Sequence, residues 1–198
     1  MTPFLKDKDG DRDDTTNSRP ISLLPVLSKV CERSAHLQLV QFLNENVIHP
    51  FQSGNRKFHS IATALLHYTD EIIQNMDDKR ISVAVLLDMT KAFDSIQHDI
   101  LIAKLRAIVI SSAAQTWFNS YLSNRKQVVR IGNVFSQPLD LTFGVPQVSI
   151  LGPVLFTLYI NDLLSDPNHC LTVGYVDDTN LTLPPTQPAD AITLLNDD

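Results

Sequence analysis

Basic residues are missing from the last third of this 198-residue chain. No Lys or Arg follows Arg130, and residues 133–198 carry a net charge of −8, whereas residues 1–60 and residues 61–132 each carry +1. The whole chain, at −6, therefore lacks the basic excess that is typical of a nucleic-acid-binding domain. Its acidic end is compatible with a metal site or with a solvated tail.

Cysteines and long apolar segments are also scarce. Cys31 and Cys170 are far apart and in no metal-ligand spacing, which is typical of reduced thiols in an intracellular protein. The N-terminus contains no apolar core of a secretory signal. The most apolar long run, residues 149–164, is too short for a membrane span and contains Pro153. We therefore expect an intracellular protein without a signal peptide, a transmembrane segment or a membrane partner.

The remaining composition, 43% hydrophobic and 19% charged, is typical of one or two globular domains with a real core. Apolar periodicity predicts helices at residues 28–46, 60–75, 96–108, 112–122, 150–164 and 189–195. Short β-prone runs predict strands at residues 81–87, 127–131, 139–142, 171–173 and 179–183. The mixture predicts an α+β fold, preceded by an exposed polar arm over residues 1–19. The inward faces of the first two helices are predicted to consist of Val30, Leu37, Val40 and Leu43, and of Ala64, Leu65, Tyr68 and Ile72.

Two adjacent carboxylates, Asp177 and Asp178, lie on a predicted tight turn between the last two strands. An uncompensated pair of carboxylates in apolar surroundings is costly unless a cation holds it. Hard oxygen ligands suit Mg²⁺, although a solvated turn is the better explanation of the pair when it is taken alone. Asp88 directly follows a run that we predict to be a strand buried on both faces. A carboxylate in that position is a poor core residue and a good site residue.

Several blocks of the sequence, in one consistent order, resemble the reverse transcriptase domain of non-LTR (LINE-type, jockey-like) retrotransposons. Residues 19–25 (RPISLLP) and 52–57 (QSGNRK) resemble the fingers blocks of that family. Residues 87–95 (LDMTKAFDS) resemble motif A, residues 144–153 (GVPQVSILGP) resemble motif B, and residues 175–178 (YVDD) resemble motif C. A lone Tyr-x-Asp-Asp is a weak signal, but all blocks in order make coincidence very unlikely.

The resemblance implies a right-hand polymerase palm, with an antiparallel sheet and packed helices, plus fingers. It assigns residues 1–80 to the fingers portion with the polar arm. It assigns residues 81–198 to the palm, with finger insertions near residues 110–145. The chain ends soon after motif C, so the thumb is expected to be missing and this copy is expected to be truncated.

The resemblance also implies RNA-directed DNA synthesis from dNTPs on an RNA template and a DNA primer, in the nucleus or the cytoplasm. Two Mg²⁺ ions, about 4 Å apart and replaceable by Mn²⁺, would be held by three catalytic carboxylates. Those carboxylates are Asp88, Asp177 and Asp178. The resemblance makes Phe93 the steric gate against a ribose 2′-hydroxyl and places Gln147 near the incoming nucleotide. It implies that Arg56 and Lys57 bind the triphosphate of the nucleotide. Asp94 and Asp162 are expected to have structural roles.

One departure from the family pattern affects activity. Val148 stands where motif B has a glycine, and a β-branched residue is ill-suited to a positive φ or to a close backbone approach. We expect Val148 to weaken nucleotide binding or to misplace Gln147, so that this copy is inactive. A non-catalytic nucleic-acid-binding relic and a working polymerase whose thumb is supplied elsewhere remain alternatives. A viral-type RNA polymerase is a third, against which Phe93 argues.

Overall fold

A computed structural model describes residues 2–5, 18–167, 169–184, 190 and 193. Within them the fold is α+β, as predicted. The strands are β1 (Thr2–Leu5), β2 (Ser18–Ile21), β3 (Val83–Leu87), β4 (Arg125–Gln127), β5 (Arg130–Ile131), β6 (Val134–Phe135), β7 (Leu139–Leu141), β8 (Leu171–Tyr175) and β9 (Asp178–Leu183). The α-helices are α1 (Val26–Asn46), α2 (Ile61–Asp77), α3 (His98–Ala107), α4 (Ser112–Leu122) and α5 (Gly152–Tyr159). Short 3-10 helices span Ala92–Asp94 and Asn161–Leu164.

The chain divides into two compact units. One contains Met1–Leu39 and Phe93–Leu155, and the other contains Val40–Ala92 and Phe156–Asp198. We call the first the loop unit and the second the sheet unit. The assignment of residues 1–80 to fingers and of residues 81–198 to palm stays a prediction.

The sheet unit is built on a three-stranded antiparallel sheet in the order β3-β9-β8, and α2 packs against β8 and β9. Helix α2 begins after Ser60, whose backbone N–H donates to Thr63 Oγ1, so a capping box fixes its start. On α2 only part of the predicted face is confirmed, because Ala64 is buried whereas Leu65 is 53% exposed.

The prediction that β3 is buried on both faces is wrong. Among the described residues this strand pairs only with β9, and it forms an edge of the sheet. Ala84 and Leu86 are exposed, while Val83 and Val85 are half-buried. An apolar run of this length cannot by itself distinguish a central strand from an edge strand with one open face.

The loop unit contains α3 packed against α4, with Leu101, Leu105, Phe118 and Leu122 in its core. Two hairpins follow, one nested inside the other: β4 pairs with β7 outside, and β5 pairs with β6 around Gly132 inside. The prediction of one strand at residues 127–131 therefore becomes two short ones. At the N-terminus β1 pairs with β2, so both ends of the predicted polar arm form strands. Residues 6–17 lie outside the described chain, and the exposure of the arm stays a prediction.

The inward face of α1 also differs from the prediction. Leu43 is buried as expected, but Val30 and Leu37 are 62% and 58% exposed. Glu32 and Leu39 are buried instead. A buried glutamate breaks the apolar periodicity on which the prediction depended, because it is held by specific hydrogen bonds rather than by apolar burial.

The helix predicted over residues 150–164 is shorter than expected. Helix α5 ends at Tyr159, and the 3-10 helix follows after Ile160. Here the side chain of Asn161 accepts a hydrogen bond from the N–H of His49 and donates one to the carbonyl of Val47. These bonds draw the chain into a tighter turn. The predicted final helix lies outside the described chain except for residues 190 and 193, both of which are helical. None of the described helices is long and apolar enough to cross a membrane.

Candidate active site

The tight turn predicted at Asp177 and Asp178 is present in the sheet unit. Tyr175 pairs with Asp178, and Val176 and Asp177 form a two-residue loop between β8 and β9. Val176 has a φ of 60°, which is the conformation that a two-residue hairpin needs at its first loop position and that glycine adopts most easily. Asp177 is half-buried and Asp178 is exposed.

Asp88 reaches the same end of the sheet through the register of β3 with β9. Leu87 pairs with Thr179, so extending the antiparallel register by one residue sets Asp88 opposite Asp178. Paired residues of neighbouring antiparallel strands face the same side and have Cβ atoms about 4.5–5.5 Å apart. Both residues are exposed. The sheet therefore places Asp88, Asp177 and Asp178, which the sequence predicts to be catalytic, at the same end.

In its chemistry the donor set suits a hard divalent cation, because all three residues offer carboxylate oxygens. Their side chains do not converge on one point, because no group of three or more His, Cys, Asp or Glu side chains among the described residues is placed to hold a metal ion.

A loop that precedes α2 supports the hairpin turn. The loop lies parallel to β8, with Ser53 N–H donating to the Gly174 carbonyl at 2.9 Å and Gly174 N–H donating to the Phe51 carbonyl at 3.0 Å. Gln52 is fully buried, and its Oε1 accepts from the N–H groups of Gly54 at 2.8 Å and Val176 at 3.1 Å. These side-chain contacts were not predicted. The QSGNRK block resembles part of the fingers, which does not indicate a contact with β8. The pairing of a loop with a strand that is distant in the sequence has no local sequence signal.

Arg56 and Lys57, the predicted triphosphate residues, also belong to the sheet unit. Arg56 is half-buried, and its Nη1 donates to the carbonyls of His49, Pro50 and Gln52 at 3.0–3.3 Å. Burial lowers the pKa of Arg56 from its ordinary value. Lys57 is exposed, with its Nζ 4.8 Å from the ring centre of Phe58. In this arrangement Arg56 binds the loop that carries Gln52, while Lys57 remains accessible to a ligand.

Phe93 and Gln147 belong to the loop unit, where motif B packs on the C-terminal part of motif A. Val145 N–H donates to the Phe93 carbonyl at 2.9 Å, and Gln147 Nε2 donates to Asp94 Oδ2 at 3.0 Å. Gly144 has a φ of 78°, and a Cβ there would lie 2.9 Å from the Cα of Asp94. The structure therefore specifies the structural role predicted for Asp94: its carboxylate accepts a hydrogen bond from the Gln147 amide and orients it.

Val148 follows Gln147 and has a φ of 69°. The expectation that this position requires a positive φ is confirmed. The left-handed region costs an ordinary L-residue about 1–2 kcal/mol, and β-branched side chains fit it least well. The Val148 side chain is 61% exposed, so little burial offsets that strain.

Glu32 fixes the other end of the motif B loop. Its Oε2 accepts from Ile150 N–H at 2.8 Å, and its Oε1 accepts from the hydroxyl of Tyr121 at 3.2 Å. Burial, which is the larger cause, and the negative charge of Glu32 together raise the pKa of Tyr121 to about 12. The ring of Trp117 stacks on Tyr121 with centroids 5.5 Å apart. No local sequence pattern connects Glu32 with motif B.

Comparison with known proteins identifies these blocks. The profile of the family described as reverse transcriptase (RNA-dependent DNA polymerase) matches residues 5–195. The probable RNA-directed DNA polymerase from transposon BS of Drosophila melanogaster is 38% identical over 82% of this chain and 19% of its own length. The RNA-directed DNA polymerase from mobile element jockey of the same species is 29% identical over 84% of this chain and 19% of its own. The chain thus spans about a fifth of the length of these relatives.

Solved structures agree on the fold. Apo telomerase from Candida tropicalis superposes with a TM-score of 0.58 at 13% identity, covering 86% of this chain and 36% of its own. Telomerase from Candida albicans, solved with a fragment of telomeric RNA, gives a TM-score of 0.57 at 15% identity, covering 87% and 33%. The predicted polymerase palm and the predicted relation to jockey-like elements are therefore confirmed. The chain belongs to the reverse transcriptase (RNA-dependent DNA polymerase) family, in its non-LTR retrotransposon branch.

Proposed function

We propose that this chain is the catalytic segment of an enzyme that adds dNTPs to a DNA primer on an RNA template and acts inside the cell, in the nucleus or the cytoplasm. The supporting observation is the register of β3, β9 and β8, which sets Asp88 opposite Asp178 with Asp177 in the adjoining turn. Three carboxylates at one end of an exposed sheet edge have no evident use in packing. They are suited to binding a divalent cation such as Mg²⁺ or Mn²⁺.

In the proposed reaction, the primer 3′-oxygen forms a bond to the α-phosphorus of the dNTP as its hydroxyl proton passes to water. The bond between the α-phosphorus and the bridging oxygen breaks, and pyrophosphate leaves. Mg²⁺ ions, when bound, would supply activation of the attacking oxygen and charge neutralisation of the leaving group. Asp88, Asp177 and Asp178 are the proposed ligands of these ions.

The other predicted site residues act on the nucleotide. Phe93 excludes the ribose 2′-hydroxyl, and Gln147, oriented by Asp94, contacts the incoming nucleotide. Lys57 contacts the triphosphate, because its ammonium is exposed. Arg56 Nη1 already donates to the carbonyls of residues 49, 50 and 52. Arg56 therefore contacts the triphosphate through its other guanidinium N–H groups.

Val148 favours a second candidate function, that of a non-catalytic nucleic-acid-binding relic. A valine with a φ of 69° strains the loop that carries Gln147, and strain next to a binding residue is released by moving that residue. In this case the chain binds RNA in a salt-dependent manner but incorporates no nucleotide.

Primer extension on an RNA template, with dNTPs and Mg²⁺, tests both proposals. The proteins compared are the unchanged chain, the double variant Asp177→Asn with Asp178→Asn, Val148→Gly, and Asp166→Asn as a control at an exposed aspartate of the sheet unit. Extension by the chain and by Asp166→Asn, but not by the double variant, supports the enzyme. Extension by Val148→Gly alone supports an intact site that one residue silences. Equal extension by the double variant would refute the carboxylate assignment.

A further inference from the structure

The Val176–Asp177 turn is strained, and its conformation requires support. Val176 is β-branched and has a φ of 60°, at a loop position that glycine would occupy without strain. Conformations of this kind cost about 1–3 kcal/mol and persist where surrounding contacts enforce them. The contacts at this turn come from a segment that precedes it by more than a hundred residues.

Gln52 makes the central contact. One oxygen atom, Oε1, accepts from the N–H of Gly54 in its own loop and from the N–H of Val176 in the turn. Because the side chain is fully buried, water cannot replace either bond, and an unsatisfied buried donor is more costly than an exposed one. The bond to Val176 acts on the residue immediately before Asp177.

Gly54 allows the loop and the turn to come this close. A Cβ at position 54 would lie 2.4 Å from the backbone nitrogen of Val176 and 2.6 Å from its Cγ2. Any side chain larger than hydrogen would therefore push the turn away from the loop. The glycine is required here by proximity, since its φ does not lie in the left-handed region.

Arg56 stabilises the loop from its other side. The three carbonyls that its Nη1 binds include that of Gln52, so the guanidinium fixes the backbone from which Gln52 extends. Charge-assisted bonds of this kind are stronger than neutral ones. Gln52, Gly54 and Arg56 together form a rigid support under the turn.

We infer that Gln52 is a positioning residue that presents Asp177 to the metal, by holding the N–H of Val176 and with it the left-handed conformation of the turn. The inference rests on the proposed function, in which Asp177 is a metal ligand. Gln52 itself touches neither metal nor substrate in this scheme. Its effect passes through one hydrogen bond to the neighbouring residue.

The test compares the unchanged chain with Gln52→Met, which keeps the length of the side chain but accepts no comparable hydrogen bond. Asn75→Leu is the matched control, because Asn75 is also buried in the sheet unit and bonds to Glu71 and Ser82, not to the turn. Residue-resolved amide exchange measures the protection of Val176 N–H. Mn²⁺ titration, followed by electron paramagnetic resonance, measures metal affinity without requiring activity, with Asp177→Asn as the reference.

In Gln52→Met we expect exchange at Val176 to be on the order of tenfold faster and Mn²⁺ affinity to be several-fold weaker, because a buried donor loses its acceptor. Asn75→Leu should change neither. Gln52→Glu, which keeps an acceptor oxygen at the same reach, should restore the protection of Val176. If Gln52→Met does not fold, Gln52→Asn, whose shorter side chain cannot reach Val176, should show the same faster exchange.

Unchanged exchange at Val176 in Gln52→Met, or Mn²⁺ affinity that falls in Asp177→Asn but not in Gln52→Met, would overturn the inference. Failure of the proposed function gives a different result, in which Asp177→Asn itself leaves Mn²⁺ affinity unchanged. In that case amide exchange alone decides whether Gln52 holds the turn.

Discussion

Val148→Gly is the most informative single substitution in this chain. The left-handed φ of 69° costs a valine about 1–2 kcal/mol that glycine does not pay. Glycine loses about 0.5–1 kcal/mol more backbone entropy on folding. Because Val148 is 61% exposed, removing its side chain loses little buried apolar area and reduces the expected gain in stability only slightly. We therefore expect the free energy of unfolding to rise by up to about 1 kcal/mol, which is a rise in Tm of a few degrees for a chain of this size.

Val109→Gly is the matched control for that experiment. Val109 also belongs to the loop unit, has a φ of 58° and is 85% exposed, but it lies in the connection between α3 and α4. Urea unfolding should show a similar gain in both variants. Primer extension and dNTP binding should improve in Val148→Gly alone, because only there does the strain act on the loop that carries Gln147.

Two results would refute this reasoning. A loss of stability in Val148→Gly, with a gain in Val109→Gly, would mean that the valine side chain makes contacts worth more than its strain. Equal dNTP binding in Val148→Gly and in the unchanged chain would mean that position 148 does not control Gln147.

Three further substitutions test the loop unit and the sheet unit. Phe93→Ala should raise rNTP incorporation relative to dNTP by about tenfold or more, since a side chain that excludes one group contributes about 1–3 kcal/mol; an unchanged ratio would remove Phe93 as the gate. Glu32→Leu should raise the KM for dNTP and speed amide exchange at Ile150, whereas Glu32→Gln, which keeps an acceptor, should restore both; equal effects would indicate a packing role only. Burial first, and then the charge of Arg56, lower the pKa of His49 from 6.5, so folding favours its neutral form and stability should fall as pH drops through about 6.5. His49→Gln should weaken that fall, and an unchanged pH profile of urea unfolding would contradict it.

Local sequence patterns predicted the helices and the hairpin better than they predicted burial. The helix at residues 112–122 and the turn at Asp177 follow from periodicity and from two apolar runs that flank a short polar loop. The prediction of the inward face of α1 was wrong, because Glu32 is buried. Its hydrogen bonds are to Tyr121 and Ile150, which lie about 90 and 120 residues away along the chain. No local pattern contains that information.

The candidate site shows the same limit. The carboxylates were predicted by resemblance, and the strand register then places all three residues at one end of the sheet. The role of Gln52 depends on a parallel bridge between a loop and β8, and that of Asp94 depends on the docking of motif B. Both require knowledge of which distant segments pack together. Sequence patterns therefore predicted the residues proposed to carry the chemistry, but not the residues that contact and support them.

Two of the valines with a positive φ, Val148 and Val176, should respond to glycine in opposite ways. Val148 and Val176 both have a positive φ, of 69° and 60°, so glycine relieves backbone strain at either position. Val176 is half-buried, its N–H is bound by Gln52, and its Cγ2 packs on Gly54. Replacing Val176 by glycine removes packing that holds the turn. It also adds backbone conformational freedom next to Asp177.

We therefore expect Val176→Gly to weaken Mn²⁺ affinity and to speed amide exchange in the turn, while Val148→Gly improves dNTP binding. Isothermal titration with Mn²⁺ and with dNTP separates the two effects. Tighter Mn²⁺ binding in Val176→Gly would mean that the strain itself, and not the support from Gln52 and Gly54, limits this site. Strain at an active site is tolerated where surrounding contacts determine the conformation, and of these two positions only Val176 has both a buried hydrogen bond and close packing to do so.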